Sequence, residues 1–164
     1  LAISSAASDV YKRQNLYYMK ASFLLAITLL CSSLFAEDHF VKMVNTDANG
    51  QIMVFDPPFL KVSVGDTVTF LPTDALHNSQ SISYLSPNDG DSWLGEMNEE
   101  LKVEFSTEGV YVYQCAPHIA LGMIGVIQVG APSNLDEINN NLAALETMIA
   151  VNKNRAKDYL SLVN

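Results

Sequence analysis

The sequence predicts an all-β domain followed by a helical tail, and three observations carry that prediction. From His39 to Val129, short runs of β-branched and aromatic residues recur between turn residues, as in strands joined by tight connections. Some runs alternate apolar and polar residues with period two, as Leu101-Lys102-Val103-Glu104-Phe105 does, which gives a strand one buried face. After Gly130-Ala131-Pro132 the apolar spacing lengthens to the 3.6-residue period of a helix.

Taken in order, Phe40-Val41-Lys42-Met43-Val44 is a first strand, and Asp47-Ala48-Asn49-Gly50 turns it into a second, Ile52-Met53-Val54-Phe55. Asp56-Pro57-Pro58 cannot continue a ladder, because proline has no N–H to donate, so a third strand begins at Phe59 and runs to Val64. Gly65-Asp66 turns the chain into Thr67-Val68-Thr69-Phe70-Leu71, with Val68 and Phe70 on one buried face. The polar stretch from Ser86 to Glu100 reads as a long surface loop that Trp93 and Leu94 pin to the body. Leu101 to Phe105 is the next strand, Glu108-Gly109 the next turn, and Val110 to Tyr113 leads directly into Cys115. Ile124 to Val129 is the final strand. Ser133 or Asn134 then caps a helix carrying Leu135, Ile138, Leu142, Leu145, Met148 and Ile149 on one face, and a second short helix covers Arg155 to Leu162. The polar face of this tail lacks the basic residues of a membrane-surface helix, so packing on the β-domain is expected.

The chain has 164 residues, and its organisation begins at Met19. Met19-Lys20, an apolar run from Phe23 to Leu30 and a break near Ser32-Ser33-Leu34-Phe35-Ala36 read as a signal peptide over residues 19–36, with cleavage expected after Ala36. The apolar run is short for a membrane anchor, and Leu30 stands where a lipoprotein signal needs a small residue before Cys31. Residues 1–18 show no fold pattern and are read as a non-native or upstream translated segment. The expected domain is then a β-sandwich over 37–131 with helices over 132–164 packed on it. From Glu37 onward there are six Lys and Arg against seventeen Asp and Glu, a formal charge of −11. Such a charge disfavours nucleic acid as a partner and selects cationic surfaces.

Cys31 would leave with the signal, so Cys115 stands alone in an exported chain. An unpaired thiol in an oxidising compartment is a liability unless it is buried or bound to metal. Cys115 opens the run Cys115-Ala116-Pro117-His118-Ile119-Ala120-Leu121-Gly122-Met123, and His77-Asn78 lies upstream. One thiolate, two imidazoles and a thioether are the donor set of a blue-copper electron-transfer centre. A short loop cannot surround a metal by itself, and His77 can supply the distant ligand. Taken singly, a histidine is more often a surface or core residue, and a methionine beside glycine is more often packing. Their concentration in one loop between two strands favours copper. Two rival functions use the same residues: copper carriage or buffering without redox turnover, and an enzyme with Cys115 as nucleophile and His118 as base. No surrounding motif supplies an oxyanion site or substrate pocket for the latter. His118 is flanked by Pro117, Ile119, Ala120 and Leu121, with no charge from Ala116 to Val129. That composition suits an apolar docking patch formed by Ile119, Ala120 and Leu121, the plain alternative being that Ile119 and Leu121 simply pack.

With these residues placed, the chain resembles the cupredoxins and, within them, the pseudoazurins. The resemblance rests on Met53-Val54-Phe55-Asp56-Pro57, Gly65-Asp66-Thr67-Val68-Thr69-Phe70, Pro72-Thr73-Asp74 before His77-Asn78, Cys115-Ala116-Pro117-His118, Gly122-Met123-Ile124, Ile127-Gln128-Val129-Gly130 and the helical tail. It implies an eight-stranded Greek-key sandwich holding one type 1 copper ion, Cu(I)/Cu(II), that passes single electrons between periplasmic proteins. It implies His77, Cys115 and His118 as equatorial ligands and Met123 as the axial one. Asn78 would give a backbone hydrogen bond to the Cys115 sulfur and tether the two ligand segments. Pro117 would leave that sulfur without a second amide donor, and Met53 would pack near the His118 ring. Implied partners are redox proteins, with nitrite reductase, nitrous oxide reductase, a peroxidase or a cytochrome as candidates, and the protein would be a monomer not stably bound to membrane. Pseudoazurins commonly ring this face with lysines, whereas Ala75 and Leu76 precede His77 here and Gln114 precedes Cys115. This puts an acidic copper nitrite reductase in doubt as the partner, and a more neutral or basic acceptor is expected equally.

Overall fold

A computed structural model describes residues Ala36–Asn164; residues 1–18 and, except for Ala36, the expected signal peptide lie outside the described residues. Eight strands occur among the described residues: β1 (Asp38–Thr46), β2 (Ile52–Asp56), β3 (Phe59–Val62), β4 (Thr67–Leu71), β5 (Gln80–Ser81), β6 (Leu101–Glu104), β7 (Gly109–Gln114) and β8 (Ile124–Val129). They form two four-stranded sheets, ordered β2-β1-β4-β6 and β3-β8-β7-β5. The pairs β1–β4 and β3–β8 are parallel and the rest antiparallel. Two helices follow, α1 (Leu135–Met148) and α2 (Arg155–Leu160), and no helix among the described residues is long and apolar enough to cross a membrane.

The period-two alternation explains how the layers sort. Along β7, Tyr111 and Tyr113 point into the core between the sheets, beside Phe55, Phe70, Trp93 and Phe105, while Val110 and Val112 face the helices. β8 divides in the same way, with Ile127 and Val129 inside and Ile124 and Val126 under the helices. One sheet is thus buried on both faces, which is why β7 and β8 read as nearly continuous apolar runs. Ile138, Leu142, Leu145 and Ile149 cover the outer face, so the tail packs on the sandwich as its composition implies. Met148 is exposed despite its place in the helical pattern.

Three local expectations are corrected. Asn134 stands at the N-cap but makes no side-chain cap bond. Its Oδ1 accepts the Val110 N–H at 2.7 Å and its Nδ2 donates to the Val110 carbonyl at 2.9 Å, so it brackets α1 onto β7. Trp93 does pin the long loop, donating Nε1–H to Ser79 Oγ at 2.9 Å and stacking on Phe70 at 5.8 Å, but Leu94 is exposed and joins only by a backbone bridge to Gln80. Finally, β5 was hidden in the sequence, because its two residues are polar and carry no periodic signal.

Candidate metal centre

β7 delivers Cys115, and the pairing of β7 with β8 closes the loop beneath it. Gln114 pairs with Ile124, and one step further the Cys115 N–H donates to the Met123 carbonyl at 3.0 Å. Between them Ala116–Leu121 winds as two 3-10 turns broken at His118, with Pro117 in the first turn, where its missing N–H would have had no helical partner. Gly122 ends the winding in the left-handed region (φ 75°), and a Cβ there would stand 2.9 Å from the Val151 carbonyl oxygen. The Met123 N–H returns to the His118 carbonyl at 3.2 Å.

His77 arrives on the segment between β4 and β5. The residue before it, Leu76, holds φ 70°, which costs about 1–3 kcal/mol for a residue with a side chain. Asn98 offsets this by accepting the Leu76 N–H on its side chain and donating its own N–H to the His77 carbonyl at 2.9 Å. The imidazole is oriented from β1, where Asn45 Oδ1 lies 3.0 Å from His77 Nε2. Because that oxygen accepts, Nε2 carries the proton and Nδ1 keeps its lone pair. Asp74 steadies Asn45 in turn, accepting its N–H at 2.7 Å.

Three donor atoms converge. His77 Nδ1 lies 3.7 Å from Cys115 Sγ and 3.1 Å from His118 Nδ1, and Cys115 Sγ lies 3.4 Å from His118 Nδ1. First-row ions bind nitrogen at about 2.0–2.1 Å and thiolate sulfur at about 2.3 Å, which separates ligand atoms by about 3.1–3.8 Å. The donor set therefore fits one such ion. His77 and Cys115 are fully buried and His118 half-buried. Burial lowers the His77 pKa and the neighbouring His118 lowers it further, against an opposing pull from Asp74, so the neutral form of the imidazole is favoured. Burial pushes the Cys115 thiol up, and the amides of Asn78 and His118 act against that rise.

Other residues singled out in the sequence fall around this cluster. Met123 is fully buried in the same core cluster as Cys115, with Met53 packed against it. The Asn78 side chain joins the two ligand segments: its Oδ1 accepts the Ala116 N–H at 2.9 Å and its Nδ2 donates to the Gly95 carbonyl at 3.1 Å. Pro117 has no N–H to offer the sulfur, and the His118 N–H, one residue on, donates to the Cys115 carbonyl at 3.1 Å. Ala116, Pro117 and Ala120 are exposed, whereas Ile119 and Leu121 are half-buried and Ile119 also packs against the helices. His118 Nε2 has no hydrogen-bond partner among the described residues. Asn45 and Asn98 carried no motif signal, because what they do depends on partners far away in sequence.

This geometry recurs in known proteins. The family model for copper binding proteins of the plastocyanin/azurin family matches residues 41–130. A protein of Rhizobium leguminosarum bv. viciae is 44% identical over 114 residues, covering 69% of this chain and 74% of its own. The pseudoazurin of Paracoccus pantotrophus is 36% identical over 121 residues, covering 73% of this chain and 83% of its own. The crystal structure of native pseudoazurin from Hyphomicrobium denitrificans superposes with a TM-score of 0.70 at 37% identity, covering 77% of this chain and 98% of that one. A buried thiol facing two imidazole nitrogens inside this sandwich is what copper requires, and the chain belongs to the plastocyanin/azurin family of copper-binding proteins, in its pseudoazurin branch, with copper as its cofactor.

Proposed function

We propose that this protein is a periplasmic single-electron carrier whose copper would be held by His77, Cys115 and His118, with Met123 as a fourth donor. The observation that carries this reading is the convergence of three soft or borderline donors within 3.1–3.7 Å of one another on a loop closed by two paired strands. Copper bound there supplies a one-electron Cu(II)/Cu(I) couple. The protein's part is to hold its donors still in both states. The β7–β8 base, the Asn78 tether and the Asn45 bond to His77 fix the donors without relying on the metal, so a change of charge need not rearrange them.

His118 gives the electron a route. Its ring is half-buried, its Nδ1 faces the donor cluster, and Ala116, Pro117 and Ala120 beside it are exposed and apolar. Together with Ile119 and Leu121 these residues form a docking face without charge. Leu76, 64% exposed and next to His77 in sequence, stands where a lysine would otherwise attract an acidic partner. The favoured partner is thus a redox protein with an apolar, neutral or basic docking surface, a cytochrome or peroxidase as readily as a nitrite or nitrous oxide reductase. Export would follow from the signal peptide over 19–36.

Adding Cu(II) to purified protein tests the reading. An intense visible band from thiolate-to-copper charge transfer, bleached by a one-electron reductant and absent in Cys115→Ser, is the expected result. Colourless Cu(I) binding with no Cu(II) band would refute electron transfer and favour carriage.

A further inference from the structure

The tail helices do more than cover the outer sheet. The three consecutive carbonyls between His118 and Met123 that follow Ile119 are all taken by the segment joining α1 to α2 and by the first residue of α2. Ala120 O accepts the N–H groups of Ala150 and Val151 at 2.9 and 3.0 Å, Leu121 O accepts Asn152 Nδ2 at 2.9 Å, and Gly122 O accepts Arg155 Nη1 at 3.1 Å. Arg155 also reaches β2, donating from Nη1 to Met53 O and from Nη2 to Ile52 O, both at 2.8 Å. Met53 holds φ 49°, so these two bonds grip the backbone on either side of a strained residue.

Arg155 is only 8% exposed, and among the described residues no carboxylate lies within ion-pair distance of it. A buried guanidinium is costly unless its N–H groups are satisfied, so the carbonyl oxygens it bonds are what stabilise its burial. Those oxygens belong to the residue before Met123 and to the strand that carries Met53. A helix needing only to pack on the sheet would place an apolar side chain there.

We propose that Arg155, together with Asn152, is a positioning residue of the metal centre, acting as a clamp from the C-terminal tail that fixes Ala120–Gly122 and, through them, Met123 and the loop base at Cys115. The proposal rests on Cys115 and Met123 being copper ligands, but its structural core concerns the loop alone. Two variants test it. Arg155→Met keeps much of the side-chain bulk and removes the donors, while Asn152→Gly removes the Leu121 bond and tolerates the positive φ of 58° at that position. In metal-free protein, exchange of the Cys115 and Met123 amide protons should accelerate about tenfold or more, the consequence of losing a hydrogen bond from a charged or buried donor. Amides of the β1–β4 ladder should stay within about twofold of wild type. In copper-loaded protein, release of copper to an excess of chelator should accelerate by a similar factor. Unchanged exchange at Cys115 and Met123, or equal acceleration in the β1–β4 ladder, would overturn the proposal. If Arg155→Met does not fold, Asn152→Gly decides by the same criteria. The exchange measurement needs no metal, so a wild-type protein that took no copper would overturn the ligand reading while leaving the clamp to be judged separately.

Discussion

Replacing Asn78 by alanine isolates the tether between the two ligand segments. Asn78 is 6% exposed, and its side chain makes two bonds that alanine cannot: from the Ala116 N–H at 2.9 Å and to the Gly95 carbonyl at 3.1 Å. Leaving a buried donor or acceptor without a partner costs about 1–3 kcal/mol each. The Gly95 carbonyl is in a buried residue, whereas Ala116 is exposed and water can recover part of its loss. The sum is about 2–4 kcal/mol. For a domain of this size each kcal/mol moves the melting temperature by about 3–5 °C, so the metal-free variant should melt about 10 °C lower. Urea unfolding should show a lower midpoint with an unchanged slope. The backbone amide beside the sulfur survives the substitution, so the copper–thiolate band should persist while copper release quickens. Asn88→Ala on the exposed loop serves as the control and should stay within about 0.5 kcal/mol of wild type. If Asn78→Ala matched that control, the side-chain bonds would contribute nothing net and the tether would be wrong.

Asp66 accepts the N–H groups of Glu37 at 2.8 Å and Ser63 at 2.7 Å and lies 3.2 Å from His39 Nε2. Burial acts to raise its pKa, but these bonds together hold it below the ordinary carboxylate value. A folded-state pKa below the unfolded one stabilises above about pH 4 and is lost as pH falls through the folded value. Asp66→Asn should therefore flatten the acid side of the stability profile measured by urea unfolding, and an acid limb as steep as wild type would contradict the assignment. Gly122→Ala should destabilise by about 1–3 kcal/mol, since φ is 75° and the new Cβ meets the Val151 carbonyl oxygen at 2.9 Å; denaturant midpoints measure this directly. Leu121→Asp should slow electron transfer to a partner with an apolar face at least severalfold and leave the visible band intact, as stopped-flow mixing would show; an unchanged rate would remove Leu121 from the docking surface.

Much of the fold was legible because burial in a sandwich imposes period two. Leu101 to Glu104 and Thr67 to Leu71 lie close to where alternation placed them, and the shift to helical spacing after Pro132 marked α1 to within a residue or two. β5 escaped because Gln80 and Ser81 are polar and pair through their backbones, which leaves no pattern in side-chain type. Asn134 does stand at the N-cap, but the destination of its side chain was not legible for a related reason: an asparagine before a helix has the same sequence signature whether it bonds the helix or a strand 24 residues away.

The sequence by itself determined the donor atoms and the loop that carries two of them, because Cys115 and His118 are held together by a few covalent bonds and their spacing is fixed wherever the loop sits. It also determined that the loop begins and ends on strands. Only the tertiary structure decided how those donors are oriented. His77 Nδ1 faces the thiol because Asn45, 32 positions away, holds Nε2, and the loop's outer carbonyls are taken by a segment about 30 residues further on. Orientation of a ligand depends on hydrogen bonds between segments remote in sequence, and such bonds follow from the fold as a whole.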